Sequence, residues 1–210
     1  MRKALILLGL STILFAVYYS YTNKQLPVFL MTEEPNVVAK GHNGHVFLVE
    51  LHFEHDGLLD FINSEQSRNI LFLVDPALLK RADHLVEALK SKQRATGLLG
   101  SSFDTIQQEI AVYEQAFKQK PLWYMPQGYT YTDKLRQRLF NEQINMLAPS
   151  LIIQNNSFPK KIEKGDILSL PLYKENKVDF TALSNWMKKY QFISIEESLF
   201  GYSIKTKKSP

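Results

Sequence analysis

Two imidazoles and two carboxylates fall within five consecutive positions of Leu51-His52-Phe53-Glu54-His55-Asp56-Gly57. Imidazole nitrogen and carboxylate oxygen together suit Zn, Mn, Co or Ni, and the same side chains serve as general acid and base. His52, His55 and Asp56 are therefore the candidate metal ligands, and His55 with Asp56 the candidate catalytic pair. The competing reading has His52 and Glu54 on one strand face, with His55 and Asp56 in a solvated turn. Asp75, directly before Pro76, could face a ligand or cap the following helix by accepting backbone N–H bonds. Gly97 to Ser102 has two glycines but lacks the lysine and spacing of a phosphate loop and the pattern of a nucleophile elbow. The turn Met125-Pro126-Gln127-Gly128-Tyr129, flanked by Trp123, Tyr124 and Tyr131, has rings that could stack on sugar or pack internally. Trp123, Tyr124, Gln127 and Tyr129 are the candidate glycan contacts. His84 lies on the polar face of its helix beside Lys80 and Glu87, which favours a surface role.

The elements that must position these groups alternate. His45 to Phe53 reads as a strand, Leu58 to Ser67 as a short helix, and Asn69 to Val74 as a continuous apolar run of buried-strand type. Pro76 opens a helix whose Leu78, Ala82, Leu85, Val86 and Leu89 share a face. Arg94 to Leu99 is a strand. Phe103, Ile106, Ile110, Tyr113 and Phe117 recur at helical spacing, with Asp104 and Gln107 as a capping box. Leu122 to Met125 is a strand, Asp133 to Glu142 a helix, and Ile144 to Ile153 and Ile167 to Leu170 are strands. A last helix carries Leu183, Trp186, Met187 and Tyr190, and Phe192 to Ile195 closes the series. Such alternation predicts a mostly parallel sheet with helices outside. Its chemistry belongs in the loops at the carboxyl ends of the strands.

Ahead of this domain, Arg2 and Lys3 precede an uncharged stretch from Ala4 to Tyr19, bordered by Tyr21. A membrane-anchoring helix over residues 4–21 is expected, since bulky Val17, Tyr18, Tyr19 and Tyr21 occupy the places where a signal peptidase needs small residues. Basic residues stay on the cytoplasmic side, so the remainder faces outwards. The expected organisation is an anchor, or an uncleaved signal, over 1–23, a turn-rich linker over 24–44, a domain over 45–202 and a basic tail over 203–210. The chain has no cysteine, which excludes disulfide frameworks, thiolate nucleophiles and cysteine-held metals. Setting aside Arg2 and Lys3 leaves 23 basic against 21 acidic side chains. That near balance, with acids and bases interspersed, argues against a nucleic-acid partner.

Lys120-Pro-Leu-Trp-Tyr-Met-Pro-Gln-Gly-Tyr129 looks like a segment ending in R-P-P-Y-G, and Lys164-Gly-Asp-Ile-Leu-Ser-Leu170 like a late strand that ends in L-H. Leu58-Leu-Asp-Phe-Ile62 before Ile70-Leu-Phe-Leu-Val74 is similar to a helix and second strand, and Phe180 to Leu199 to a closing helix, strand and short helix. In this order the segments resemble the polysaccharide deacetylases, over about His45 to Gly201. The resemblance makes the domain over 45–202 deacetylase-like and implies an α/β fold, a distorted (β/α) barrel, preceded here by the transmembrane helix. It also implies a metal, zinc for example, held by one Asp and two His that activates water against an acetamide, with another Asp as base. This sequence departs from that pattern. The T-F-D-D-G motif falls in Leu51 to Gly57. One fit gives His55 the base position and Asp56 a ligand position; another puts Leu51 and His52 there. The H-x-x-x-H motif falls on Leu99 and Phe103. Met125 and Gln127 replace the arginine and second proline of R-P-P-Y-G, and the late histidine falls near Pro171. The sequence is thus expected to give a non-hydrolytic, outward-facing deacetylase-like protein of the cell envelope without a cofactor, binding envelope polysaccharide or an envelope protein. The alternative is an active metal-dependent deacetylase with a site relocated to His52, His55 and Asp56.

Overall fold

A computed structural model describes residues 33–154 and 156–201. Eight strands form one sheet: β1 Val37–Val38, β2 Val46–Leu51, β3 Leu71–Val74, β4 Ala95–Gly100, β5 Trp123–Pro126, β6 Asn145–Leu147, β7 Leu151–Ile152 and β8 Ile167–Pro171. Their order is β1-β6-β5-β4-β3-β2-β8-β7, and every pairing within the sheet is parallel. The helices are α1 Leu58–Asn63, α2 Pro76–Leu79, α3 Asp83–Ser91, α4 Ile106–Phe117, α5 Asp133–Asn141, α6 Phe180–Met187 and α7 Ile195–Phe200.

The sheet curls into a barrel. Laid flat, β1 and β8 would stand about 30 Å apart at the usual spacing between neighbouring strands. Yet Lys40, just after β1, forms a bridge with Asp166, just before β8, and Gly41 N donates to Gly165 O across 2.7 Å. Alternation along each strand then sorts side chains into two apolar layers. Phe47, Val49 and Leu51 of β2 face outwards, into the layer that includes Leu58, Leu85, Ile110, Leu135 and Leu183 of the helices. Val46 and Leu48 face inwards and meet Leu71, Leu73, Leu99, Trp123, Met125, Leu147 and Ile167. Helix α7 closes the amino end of this interior: Ile195 joins the inner layer, Ser198 Oγ donates to Asn43 O at 2.6 Å, and Trp123 Nε1 donates to Glu196 Oε1 at 3.0 Å. The carboxyl ends of the strands form the opposite mouth.

The alternation expected from the sequence is present, with local differences. The helix after Pro76 breaks between Leu79 and Asp83 into α2 and α3. The apolar run 144–153 gives two strands at opposite ends of the sheet, β6 beside β1 and β7 beside β8. Phe192 to Ile195 contributes only a bridge between Phe192 and His45, and Ile195 already begins α7. The capping box at Asp104 and Gln107 does not form; α4 starts at Ile106, and Thr105 makes no side-chain cap. Instead Glu109, one turn inside α4, turns back to accept from Ser101 N at 3.1 Å and Thr105 Oγ1 at 2.8 Å. The turn-rich stretch ahead of β2 contributes β1 to the sheet edge. The expected anchor over residues 4–21 lies outside the described residues. Among the described residues, no helix is long and apolar enough to cross a membrane.

Candidate functional site at the barrel mouth

The mouth is organised around Glu50, the single acid in the strand Val-Phe-Leu-Val-Glu-Leu of β2 and fully buried. A buried carboxylate needs compensating donors, and strand β8, the loop after β5 and the tail of its own strand supply them. Ser169 Oγ of β8 donates to Glu50 Oε1 at 2.5 Å, and the Tyr129 hydroxyl donates to the same oxygen at 2.7 Å. His52 Nε2 lies 3.3 Å from Glu50 Oε2, while its Nδ1 lies 3.8 Å from Asp75 Oδ2. Asp75, at the end of β3, accepts from Gln127 Nε2 through Oδ2 at 3.0 Å and from Ala77 N through Oδ1 at 2.7 Å. It therefore caps α2 and joins the mouth at once. The Tyr173 ring stacks on His52 with centroids 4.4 Å apart.

An imidazole with carboxylates at both nitrogens is best satisfied as imidazolium, the form in which both nitrogens carry protons. Burial alone lowers the His52 pKa, but the Asp75 and Glu50 carboxylates outweigh it and leave it raised. Burial, and then the Glu50 charge, hold the Tyr129 and Tyr173 phenols in their neutral form by raising their pKa. The raised pKa favours the charged form of His52 between the two carboxylates.

That arrangement does not fit a hydrolytic metal. Such an ion needs about three protein donors converging on one point with a position left open. Here Glu50 and Asp75 address opposite edges of one ring, and three of their four oxygens already accept from hydroxyl, amide or backbone groups. Leu99 faces the interior fully buried, Phe103 is exposed in the loop after β4, and Met125 is in the inner layer. Among the described residues, no three His, Asp or Glu side chains are placed to hold an ion.

The candidate residues of the sequence divide accordingly. His52, Gln127 and Tyr129 lie in the mouth. Asp56 is exposed, and His55 is partly buried, with its Nε2 enclosed and without a hydrogen-bond partner; neither joins His52 in a donor set. Trp123 and Tyr124, expected to stack on sugar, are buried: Trp123 lies low in the interior bonded to α7, and Tyr124 packs in the outer layer. Alternation explains this, because Trp123 and Tyr124 of β5 each point into one of the two apolar layers, and on this side of the sheet it is the turn beyond β5 that reaches the mouth. His84 pairs with Glu54 on the surface at 2.7 Å. Glu50 and Ser169 were not singled out from the sequence. The available signal was an acid in an otherwise apolar six-residue strand, which demands a buried partner.

No family model matches the sequence. No curated protein matches it either. Solved structures do match the fold. A CE4 family pseudoenzyme from Bacillus anthracis is 14% identical, with 79% of this chain and 69% of that chain covered and a TM-score of 0.66. A family 4 carbohydrate esterase, also from Bacillus anthracis, is 15% identical over 78% of this chain and 86% of that chain, with a TM-score of 0.61. The chitin deacetylase of Colletotrichum lindemuthianum is 11% identical over 80% of this chain and 93% of that chain, with a TM-score of 0.63. The chain has the fold of the polysaccharide deacetylases.

Proposed function

We propose that this chain is a membrane-anchored, outward-facing deacetylase-like protein that binds envelope glycan at the barrel mouth without hydrolysing it. The observation that carries this reading is the placement of His52, whose two nitrogens serve Glu50 and Asp75 where a deacetylase would need donors converging on a metal. Apolar Leu99, Phe103 and Met125 at the positions that the family pattern gives to histidine and arginine support the same reading. So does the presence of a pseudoenzyme among the proteins of this fold. The anchor rests on the apolar segment after Arg2 and Lys3. Glycan is the preferred ligand because the partly exposed Asp75, Gln127 and Tyr129 stand with the exposed ring of Tyr173, the mixture that a sugar's polar edge and apolar face require. The test is to measure bound metal and the release of acetate from an acetylated chitooligosaccharide. Metal-dependent turnover overturns the reading, and an envelope protein captured where no glycan binds replaces glycan with that partner.

A second reading, an active deacetylase using His52, His55 and Asp56, is favoured by one observation, the enclosed and unpartnered Nε2 of His55. On that reading Asp56→Ala abolishes turnover; unchanged turnover removes it.

A further inference from the structure

We infer that the mouth selects saccharides carrying a carboxylate, with Arg81 and Lys174 as the anion-binding pair and Tyr173 as the ring on which the sugar rests. This rests on the glycan-binding reading above and specifies its ligand.

Arg81, in the turn between α2 and α3, and Lys174, in the loop after β8, both lie against the Phe53 ring beyond β2. The Arg81 Cζ lies 4.5 Å and the Lys174 Nζ 5.7 Å from the ring centroid. Neither cation is within ion-pair distance of a carboxylate among the described residues. The neighbouring acid Glu54 is engaged with His84 at 2.7 Å. An exposed arginine is ordinarily mobile, and ordering it on binding costs conformational entropy. Arg81 is already held: Nη2 donates to His52 O at 3.1 Å, and the ring supports its guanidinium. The edge left over is a planar pair of donors, which matches a carboxylate better than a hydroxyl.

The apolar half of the site adjoins it. Tyr173 precedes Lys174, rests one face on His52 and is exposed, so its other face is open to the C–H face of a pyranose. Phe53 N donates to Leu172 O at 3.0 Å, which ties the loop bearing the aromatic support to the loop bearing Tyr173 and Lys174. The charge deeper in the mouth does not cancel this rim, because a charged His52 offsets one of the two carboxylates, Glu50 and Asp75, and the other stands against two cations, Arg81 and Lys174. A sugar lying on Tyr173 would place a ring carboxylate towards Arg81 and Lys174.

The experiment is calorimetric titration of the full chain, in detergent, with a galacturonate trimer, a neutral chitotriose and inorganic phosphate. The uronate trimer is expected to bind about tenfold more tightly than the neutral trimer, a ratio that falls as salt screens the charges. Arg81→Gln, and separately Lys174→Gln, both at exposed positions, should each reduce that ratio while leaving the far-ultraviolet circular dichroism unchanged. Equal binding of the two trimers overturns the carboxylate assignment and leaves the glycan reading standing. Phosphate binding more tightly than uronate also overturns the assignment. Absence of binding by either trimer overturns both this inference and the reading beneath it.

Discussion

The Tyr129 hydroxyl donates to Glu50 Oε1 across 2.7 Å, joining the turn after β5 to a strand three places away in the sheet. The bond pins the mouth closed on one side, and it needs an uncommon backbone, since Tyr129 has φ 62° directly after Gly128 at φ 79°. Tyr129→Phe removes one donor from a buried carboxylate and leaves the ring in place. The expected loss is about 1 to 3 kcal/mol, the usual cost of depriving a buried charged group of a hydrogen bond. Urea denaturation of the two proteins checks it, and a loss below a few tenths of a kcal/mol would show that Glu50 does not depend on this donor.

His52 gives the mouth a pH dependence of defined sign. Its folded pKa is raised by Asp75 and Glu50 against the opposing effect of burial, from an ordinary value of 6.5. The stabilisation from its charge is therefore complete below that value and is lost as pH rises through the folded pKa. The groups facing it are Glu50, Asp75 and the Tyr173 ring. The stability difference between the native chain and His52→Leu should be largest in mild acid and shrink on the alkaline side. Urea midpoints collected across the neutral range measure this, and a difference that grows with pH contradicts the imidazolium assignment.

How much of this was legible in the sequence depended on the period of the signal. The β2, β3 and β8 strands were visible as apolar runs, and the strand–helix alternation led directly to a parallel sheet. Curling was not visible, because the bridge from Lys40 to Asp166 joins residues 126 positions apart and leaves no local trace. At the site, His52, Gln127 and Tyr129 were recognised by type. Trp123 and Tyr124 were placed with them because adjacent aromatic residues look alike in sequence, whereas the strand directs one ring to each apolar layer and neither to the mouth. Glu50 was hidden for the opposite reason: its partners Tyr129 and Ser169 come from loops and strands far along the chain.

Gly100 at the end of β4 is required by close approach. A Cβ there would lie 2.2 Å from Cε2 of the fully buried Tyr124 ring, whereas at Gly128 it would meet nothing within 4 Å. Gly100→Ala should destabilise by about 1 to 3 kcal/mol through overpacking. Gly128→Ala, which meets only the cost of a left-handed backbone, should lose about 1 to 2 kcal/mol. Thermal melts monitored by tyrosine absorbance provide a second readout, because only Gly100→Ala should alter the Tyr124 environment before unfolding.

Glu142 sets the acid limb of stability. Its pKa is lowered chiefly by the hydrogen bond from Lys120 at 2.5 Å, against a smaller opposing effect of burial, with Arg138 and Gln107 adding to the lowering. Through these bonds the end of α5 is tied to Gln107 of α4 and to Lys120 in the segment leading into β5. A depressed folded pKa means that the contribution is present above the ordinary value of 4.5 and disappears as pH falls through the folded one. Glu142→Gln should therefore weaken the protein at neutral pH and converge with the native chain in strong acid. Parallel stability curves throughout that range would assign no such role to the carboxylate.

Metal addition and removal separate an internal cation from a borrowed one. A ligand that binds only the folded state stabilises it by about 2.7 kcal/mol at a hundred times its dissociation constant, so a resident ion would leave a clear mark on the melting temperature. With His52 between Glu50 and Asp75, and with Leu99 and Met125 turned into the apolar interior, the described residues offer no donor set to provide that stabilisation. The melting temperature is expected to be the same in chelator and in excess zinc or cobalt. A rise on adding metal that Asp75→Asn abolishes would show that the mouth rearranges to gather ligands, while a rise abolished by Asp56→Ala would place the ion at the relocated His55 site.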